Sequence, residues 1–113
     1  MDSDPSPHVA AVILTYHPDP DVVANIDAVS AQVARVYVVN NSPDEASAMI
    51  LHPVVGRPDV EILEQAGNLG VATGFNAGIR AALSAGYEDV WIFDQDSTVT
   101  PGSVARLLEA RDA

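Results

Sequence analysis

The chain has 113 residues, of which 48% are apolar, and 16 acidic against 5 basic residues give it a formal net charge of −11. A chain of this length folds as one domain that buries about two thirds of its unfolded surface. All five basic residues are arginines, and they form no cluster that would attract nucleic acid or an anionic membrane surface. No apolar run approaches the roughly 18 residues that span a bilayer. The chain has no cysteine and no signal-peptide pattern, so we expect a cytoplasmic protein.

Residues 1–8 are polar, contain two prolines and are expected to form a disordered leader. After them, short β-rich runs alternate with longer stretches of helical period. The runs are residues 9–16, 35–40, 60–64 and 89–93. Because VAAVIL and VYVVN are apolar on both faces, they are typical of parallel strands covered by helices on either side. The sequence therefore predicts an α/β fold, an open, mostly parallel sheet with helices on both faces, of Rossmann-like type.

Helix starts are indicated by a residue that can cap a helix, followed by proline. These starts are Asp19 with Pro20, Ser42 with Pro43 and with Glu45 at capping-box spacing, and Thr100 with Pro101. In open α/β sheets, ligands bind beyond the carboxyl ends of the strands, near the point where the strand order reverses. The segments to search for a site are therefore 15–19, 40–42, 65–74 and 94–98.

The most conspicuous candidate is Asp94-Gln95-Asp96, which directly follows the last strand. Asp-x-Asp occurs three times in the chain, so the pattern alone has little specificity. One of the other pairs lies in the leader, and the other lies at a helix start, where it meets the helix dipole favourably. Asp94 and Asp96 form either a solvated turn or a binding pair, and their neighbours favour binding.

The stretch 66–83 contains small residues every four positions, at Gly70, Gly74, Gly78 and Ala82. That spacing gives one helix face that lacks bulky side chains. We expect Gly78 to pack on the sheet, and Gly70 and Gly74 to allow close approach of a ligand near the free amides of the helix start.

Polar side chains at the other strand ends could contact a nucleotide. Asn40 and Asn41 follow the second strand, where they either form a polar turn or read a base edge, and Tyr16 offers a flat ring after the first strand. The three histidines are scattered without the spacing of a zinc site.

Four motifs in this order, TYHPD, VVNNSP, NLGVATGFNAGI and FDQDS, resemble the nucleotide-binding half of glycosyltransferase family 2. The resemblance covers essentially residues 9–110. Within the family, the sequence is most similar to bacterial rhamnosyltransferases of polysaccharide biosynthesis, in which the aspartate motif often reads DQDS. The resemblance implies a GT-A-type fold and transfer of a sugar from a nucleoside diphosphate, commonly with Mg2+ or Mn2+.

The resemblance also implies roles for individual residues. It assigns nucleotide-sugar contacts to Thr15, Tyr16, Asn40, Asn68, Gly70, Gly74, Asn76 and Asp94, and the metal contact to Asp96. Asn40 stands where the family usually has an aspartate that accepts from the base. Because asparagine keeps an acceptor oxygen but lacks the charge, we expect base recognition to be altered here. A single carboxylate can hold Mg2+ when phosphate oxygens and waters complete its shell.

In the family, the catalytic base lies downstream, in a half that also binds the acceptor. We therefore expect residues 9–113 to form a donor-binding half-domain with no catalytic residue of its own. Its implied partners are a dTDP- or UDP-sugar and, in a full-length enzyme, a glycan or lipid-linked acceptor. That enzyme is expected in the cytoplasm, with peripheral attachment to the inner face of the membrane left open. An uncovered sheet edge would favour a homo-oligomer.

The sequence is also compatible with two other classes of protein to different degrees. A phosphoacceptor receiver domain is also an acidic βαβα domain of this length, but it needs paired acids after the first strand and a late lysine, and this chain has neither. A non-catalytic nucleotide-binding or interaction module is the second alternative, and the sequence does not separate it from a donor-binding half.

Overall fold

The computed structural model describes residues 6–67, 70–96, 102, 106 and 108–110. The elements are β1 (Ser6–Thr15), α1 (Asp21–Ser30), β2 (Val33–Asn40), α2 (Glu45–Leu51), a 3-10 turn (His52–Val54), β3 (Val60–Glu64), α3 (Val71–Ser84) and β4 (Asp89–Asp94). All four predicted strands are present. β1 begins at Ser6, so the end of the predicted leader belongs to the strand, while residues 1–5 lie outside the described part of the chain.

The four strands form one parallel sheet in the order β3-β2-β1-β4. The chain builds the sheet outward from β1 to β3 and then returns to place β4 on the other side of β1. Strand order therefore reverses between β1 and β4, which is where open α/β sheets bind ligands. The predicted open parallel sheet is confirmed.

Alternating residues of β1 enter two separate cores. Val9, Ala11 and Ile13 pack with α1 and with residues of α2 and the 3-10 turn on one face. Ala10 and Val12 pack with α3 on the other face. Because successive side chains of a strand point to opposite faces, a strand covered on both sides must be apolar throughout, as VAAVIL is.

The small-residue face of α3 lies directly on the sheet. A Cβ atom at Gly78 would stand 2.4 Å from Val12 Cγ1, and one at Gly74 would stand 2.5 Å from Leu14 Cδ1 and 3.0 Å from Asn41 Nδ2. Packing on the sheet is therefore confirmed for Gly78. The same packing accounts for Gly74, where we expected a ligand to make the close approach.

Two of the predicted helix starts can be compared with the structure. Asp19 Oδ1 accepts a hydrogen bond from the backbone N–H of Asp21 at 2.9 Å, at the start of α1. The N-cap of α2 is Asp44 rather than Ser42, because the Ser42 hydroxyl is engaged in other contacts and Asp44 accepts from the Ser47 N–H at 2.7 Å. Thr100 and Pro101 lie outside the described residues. No helix in the described ranges has the length and apolar character needed to cross a membrane.

Candidate donor-binding site

A cavity of about 380 Å³ opens at the carboxyl ends of β1 and β4, where the strand order reverses. Its described lining residues are Leu14, Tyr16, Asp94, Gln95 and Asp96. Both aspartates are exposed, and the Tyr16 side chain is 49% exposed. The fold thus brings three predicted site residues, Tyr16, Asp94 and Asp96, to one opening. Tyr16 precedes the two aspartates by 78 and 80 positions in the sequence.

Gln95 joins the two strand ends that border the cavity. The Tyr16 N–H donates to Gln95 Oε1 at 2.7 Å, and Gln95 Nε2 donates back to the Tyr16 carbonyl at 3.2 Å. Asn25 of α1 donates to the Gln95 carbonyl at 2.8 Å. We call the two hydrogen bonds between Gln95 and the Tyr16 backbone the Gln95 clamp. The sequence did not predict this clamp, because nothing local in DQDS indicates a partner 79 positions away. The only available signal was a long amide side chain between two carboxylates at a strand end.

Asn40 is turned into the protein rather than toward a ligand. It is 1% exposed, and its Oδ1 accepts from the Thr15 hydroxyl at 3.2 Å, the Ser42 N–H at 3.2 Å and the Ser42 hydroxyl at 3.0 Å. Thr15 is fully buried. An acceptor oxygen with three internal donors has no capacity left for a base. In this structure Asn40 and Thr15 therefore order the strand ends, whereas we expected both to contact the nucleoside.

The Asn40 amide also contacts a carboxylate of the neighbouring strand. Its Nδ2 donates to Glu64 Oε2 at 3.0 Å, at the end of the neighbouring strand β3. An aspartate here would place a buried carboxylate at hydrogen-bond distance from the exposed Glu64 carboxylate, and like charges so close repel each other. The exposed carboxylate of Glu64 is consequently the acidic group at this strand end, instead of residue 40.

The start of α3 packs against Leu14 and Asn41, and none of its described residues lines the cavity. Gly70 precedes the helix with φ of 94°, and a Cβ atom there would meet nothing within 4 Å. Asn41 is 2% exposed and donates to the Gly70 carbonyl at 3.3 Å, while its Oδ1 has no hydrogen-bond partner within the described ranges. Asn76 is exposed, about 200° around the helix from Gly74 at 100° per residue. Asn68 lies outside the described residues.

His17 follows Tyr16 and connects it to α2. Its N–H donates to the Ser42 hydroxyl at 2.9 Å, and its Nδ1 lies 3.0 Å from Asp44 Oδ2. The hydrogen bonds from Ser47, foremost the one from its backbone N–H, lower the pKa of Asp44, and His17 lowers it further. Asp44 is thus held as an acceptor for both the helix start and the histidine.

The cavity suits a cation only in part. Within the described ranges, no group of three or more histidine, cysteine or acidic side chains is placed to hold a metal ion. The carboxylates of Asp94 and Asp96 are hard oxygen ligands. Mg2+ and Mn2+ typically bind one or two such carboxylates when a phosphorylated substrate supplies other ligands. The donor set therefore fits a cation that arrives with a diphosphate.

The fold and the cavity define a class of protein, an open α/β domain with an acidic pair and an aromatic ring at its topological switch point. The chain belongs to glycosyl transferase family 2, whose sequence profile matches residues 10–113. It is 27% identical over 113 aligned residues to the polyprenol monophosphomannose synthase of Mycolicibacterium smegmatis, covering 96% of this chain and 43% of that protein. The crystal structure of S. aureus TarS superimposes with a TM-score of 0.67 over 92% of this chain and 19% of that one, at 15% identity.

These comparisons confirm the family and the GT-A-type fold. The structural likeness, at so low an identity, supports the fold alone. The chain spans less than half the length of the relative and less than a fifth of the solved protein.

Proposed function

We propose that this chain forms the donor-binding part of a glycosyltransferase that moves a sugar from a nucleoside diphosphate to a glycan or a lipid-linked acceptor. The observation that carries the proposal is the cavity at the β1/β4 switch point, where Tyr16, Asp94 and Asp96 meet in a member of family 2. The name of the mannose synthase relative contains a polyprenol, which supports a lipid-linked acceptor as one option.

Each cavity residue has a role that follows from its chemistry. The half-exposed ring of Tyr16 offers a flat surface on which a base or ribose can stack. Asp94 accepts from hydroxyl groups of the ribose or the sugar, and Asp96 holds Mg2+ or Mn2+. When bound, the cation neutralises charge on the departing diphosphate and offsets the repulsion between an acidic protein and its anionic donor.

The identity of the donor is proposed from the sequence motifs. DQDS favours a rhamnosyl donor, and hence dTDP or UDP as the nucleotide. Because Asn40 is buried and fully engaged, recognition of the base depends on other groups than residue 40.

We propose that the acceptor site and the catalytic base belong to a part of the enzyme beyond these 113 residues, which span 43% of the relative. The chain by itself then binds donor without transferring sugar. Exposed apolar side chains such as Ile92 on β4, at 53% exposure, favour self-association in the cytoplasm. Sedimentation at several concentrations tests that association, and a monomer throughout would contradict it.

Calorimetric titration of the 113-residue chain with UDP and dTDP, in Mn2+ and then in EDTA, tests the donor site. We expect binding that requires the metal and is lost in Asp96→Ala. Asp21→Ala, at an exposed aspartate on α1 outside the cavity lining, is the matched control and should bind as the wild type does. A folded chain that binds neither nucleotide, or that binds equally well in EDTA and with Asp96→Ala, would refute the proposal.

A further inference from the structure

The backbone of Tyr16 is fixed by Gln95, and its ring contacts the ring of His17. Gln95 holds both the N–H and the carbonyl of Tyr16. Tyr16 is about half exposed beside the cavity, and the described aromatic contact of its ring is with His17, at a centroid distance of 4.2 Å and an interplanar angle of 62°. This edge-to-face geometry is favourable for two aromatic rings. The orientation of the Tyr16 ring therefore depends on where His17 is held.

His17 is held in a conformation that residues with side chains seldom adopt. Its φ is 44°, and it is the one non-glycine residue within the described ranges that has a positive φ. Backbone of this kind persists only where surrounding contacts enforce it, and it is concentrated at binding and catalytic sites. The contacts that enforce it are the Ser42 hydroxyl on the His17 N–H and Asp44 on Nδ1.

Asp44 contacts both the start of α2 and the side chain of His17. One carboxylate oxygen, Oδ1, accepts from the Ser47 N–H as the N-cap, and the other, Oδ2, faces His17. The His17 and Asp44 side chains are 59% and 40% exposed, and ion pairs so exposed add little to stability. The contribution of this pair is therefore to geometry, since it ties the histidine ring to a rigid helix start.

We propose that His17 is a positioning residue, which braces the Tyr16 ring against α2 so that the ring is already oriented for the base of a nucleoside diphosphate. The inference rests on the proposed donor site. Without the brace, the ring samples more orientations and must be ordered when the base binds. Ordering one side chain on binding corresponds to about a three- to tenfold weaker Kd.

Two substitutions remove the brace from opposite ends. His17→Asn keeps a residue that tolerates positive φ but removes the aromatic ring. Asp44→Ser keeps a good N-cap with its single oxygen but removes the oxygen that faces His17. We expect both variants to bind UDP, in Mn2+, about three- to tenfold more weakly than the wild type. Affinity for Mn2+ with pyrophosphate, which has no base, should stay unchanged, and so should UDP binding by Glu45→Gln, the neighbouring acid of α2.

A double-mutant cycle with Tyr16→Ala tests whether His17 acts through the tyrosine. If it does, adding His17→Asn to Tyr16→Ala causes no further loss of UDP affinity. Equal UDP affinity in the wild type, His17→Asn and Asp44→Ser would overturn the inference, and so would additive losses in the cycle or a parallel loss of pyrophosphate binding. Failure of the wild-type chain to bind UDP or dTDP at all is a different result, because it refutes the donor site itself.

Discussion

Replacing Gln95 by alanine should loosen the link between the ends of β1 and β4. The substitution removes two hydrogen bonds to the Tyr16 backbone, at 2.7 and 3.2 Å, while the bond from Asn25 to the residue 95 carbonyl can remain. Each such bond contributes about 0.5–1.5 kcal/mol net, so the free energy of unfolding should fall by about 1–3 kcal/mol. Because Tyr16 is exposed, water can bond to its freed N–H and carbonyl. We therefore expect a loss of about 1 kcal/mol, the lower end of this range.

Urea denaturation of wild type, Gln95→Ala and Gln65→Ala measures this loss. Gln65 follows β3 as Gln95 follows β4, but no hydrogen bond of its side chain is present within the described ranges, so Gln65→Ala should unfold at nearly the wild-type midpoint. In thermal unfolding, a loss of 1 kcal/mol corresponds to about 4 °C for a domain of this size. Equal midpoints for the Gln95 and Gln65 variants would show that the clamp does not stabilise the strand ends.

Three further predictions concern the packing and the charges. Gly78→Ala should lower the free energy of unfolding by up to about 2 kcal/mol, because overpacking against a β1 valine at 2.4 Å outweighs the gain of about 1 kcal/mol in helix propensity, as urea denaturation can measure. Asn40→Asp should cost about 1–3 kcal/mol by facing the Glu64 carboxylate, and adding Glu64→Gln should restore most of that loss in the same assay. The Arg57 guanidinium, 2.7 Å from Asp59, lowers the pKa of the Asp59 carboxyl below its ordinary 3.8. The pair therefore stabilises the fold above pH 3.8, and this contribution to the free energy of unfolding is lost as the pH falls through the lowered pKa. The stability difference between wild type and Asp59→Asn should therefore shrink between roughly pH 5 and pH 2.

Each of these expectations can fail in a specific way. A more stable Gly78→Ala chain would mean that the helix shifts to admit the methyl group. Failure of Glu64→Gln to rescue Asn40→Asp would mean that burial of the new charge, and not the neighbouring carboxylate, makes aspartate unfavourable at position 40. A stability difference at Asp59 that is independent of pH would show that its contact with Arg57 is not ionic.

The alternation of short apolar runs with helical stretches was sufficient to predict the sheet. Runs such as VAAVIL are apolar on both faces, and only a strand between two helical layers buries both faces, so the sequence determines the fold class. The location of the candidate site also follows, because ligands bind at the carboxyl ends of such strands and DQDS stands at one of them. The family likeness was carried by four motifs in register and was confirmed by the match over residues 10–113.

The tertiary structure decided which polar side chains are exposed at the candidate site and which are buried in hydrogen bonds within the protein. Asn40 and Asp96 both follow apolar strands, yet one is buried with three donors on its oxygen and the other is exposed at the cavity. Gln95 bonds to Tyr16 at the end of the neighbouring strand β1, and Asp44, rather than the expected Ser42, is the N-cap of α2. A side chain is committed by the donors and acceptors that surround it, and those come from distant parts of the chain. Local sequence thus determined where the strands end, whereas long-range hydrogen bonding determined what each residue at those ends can do.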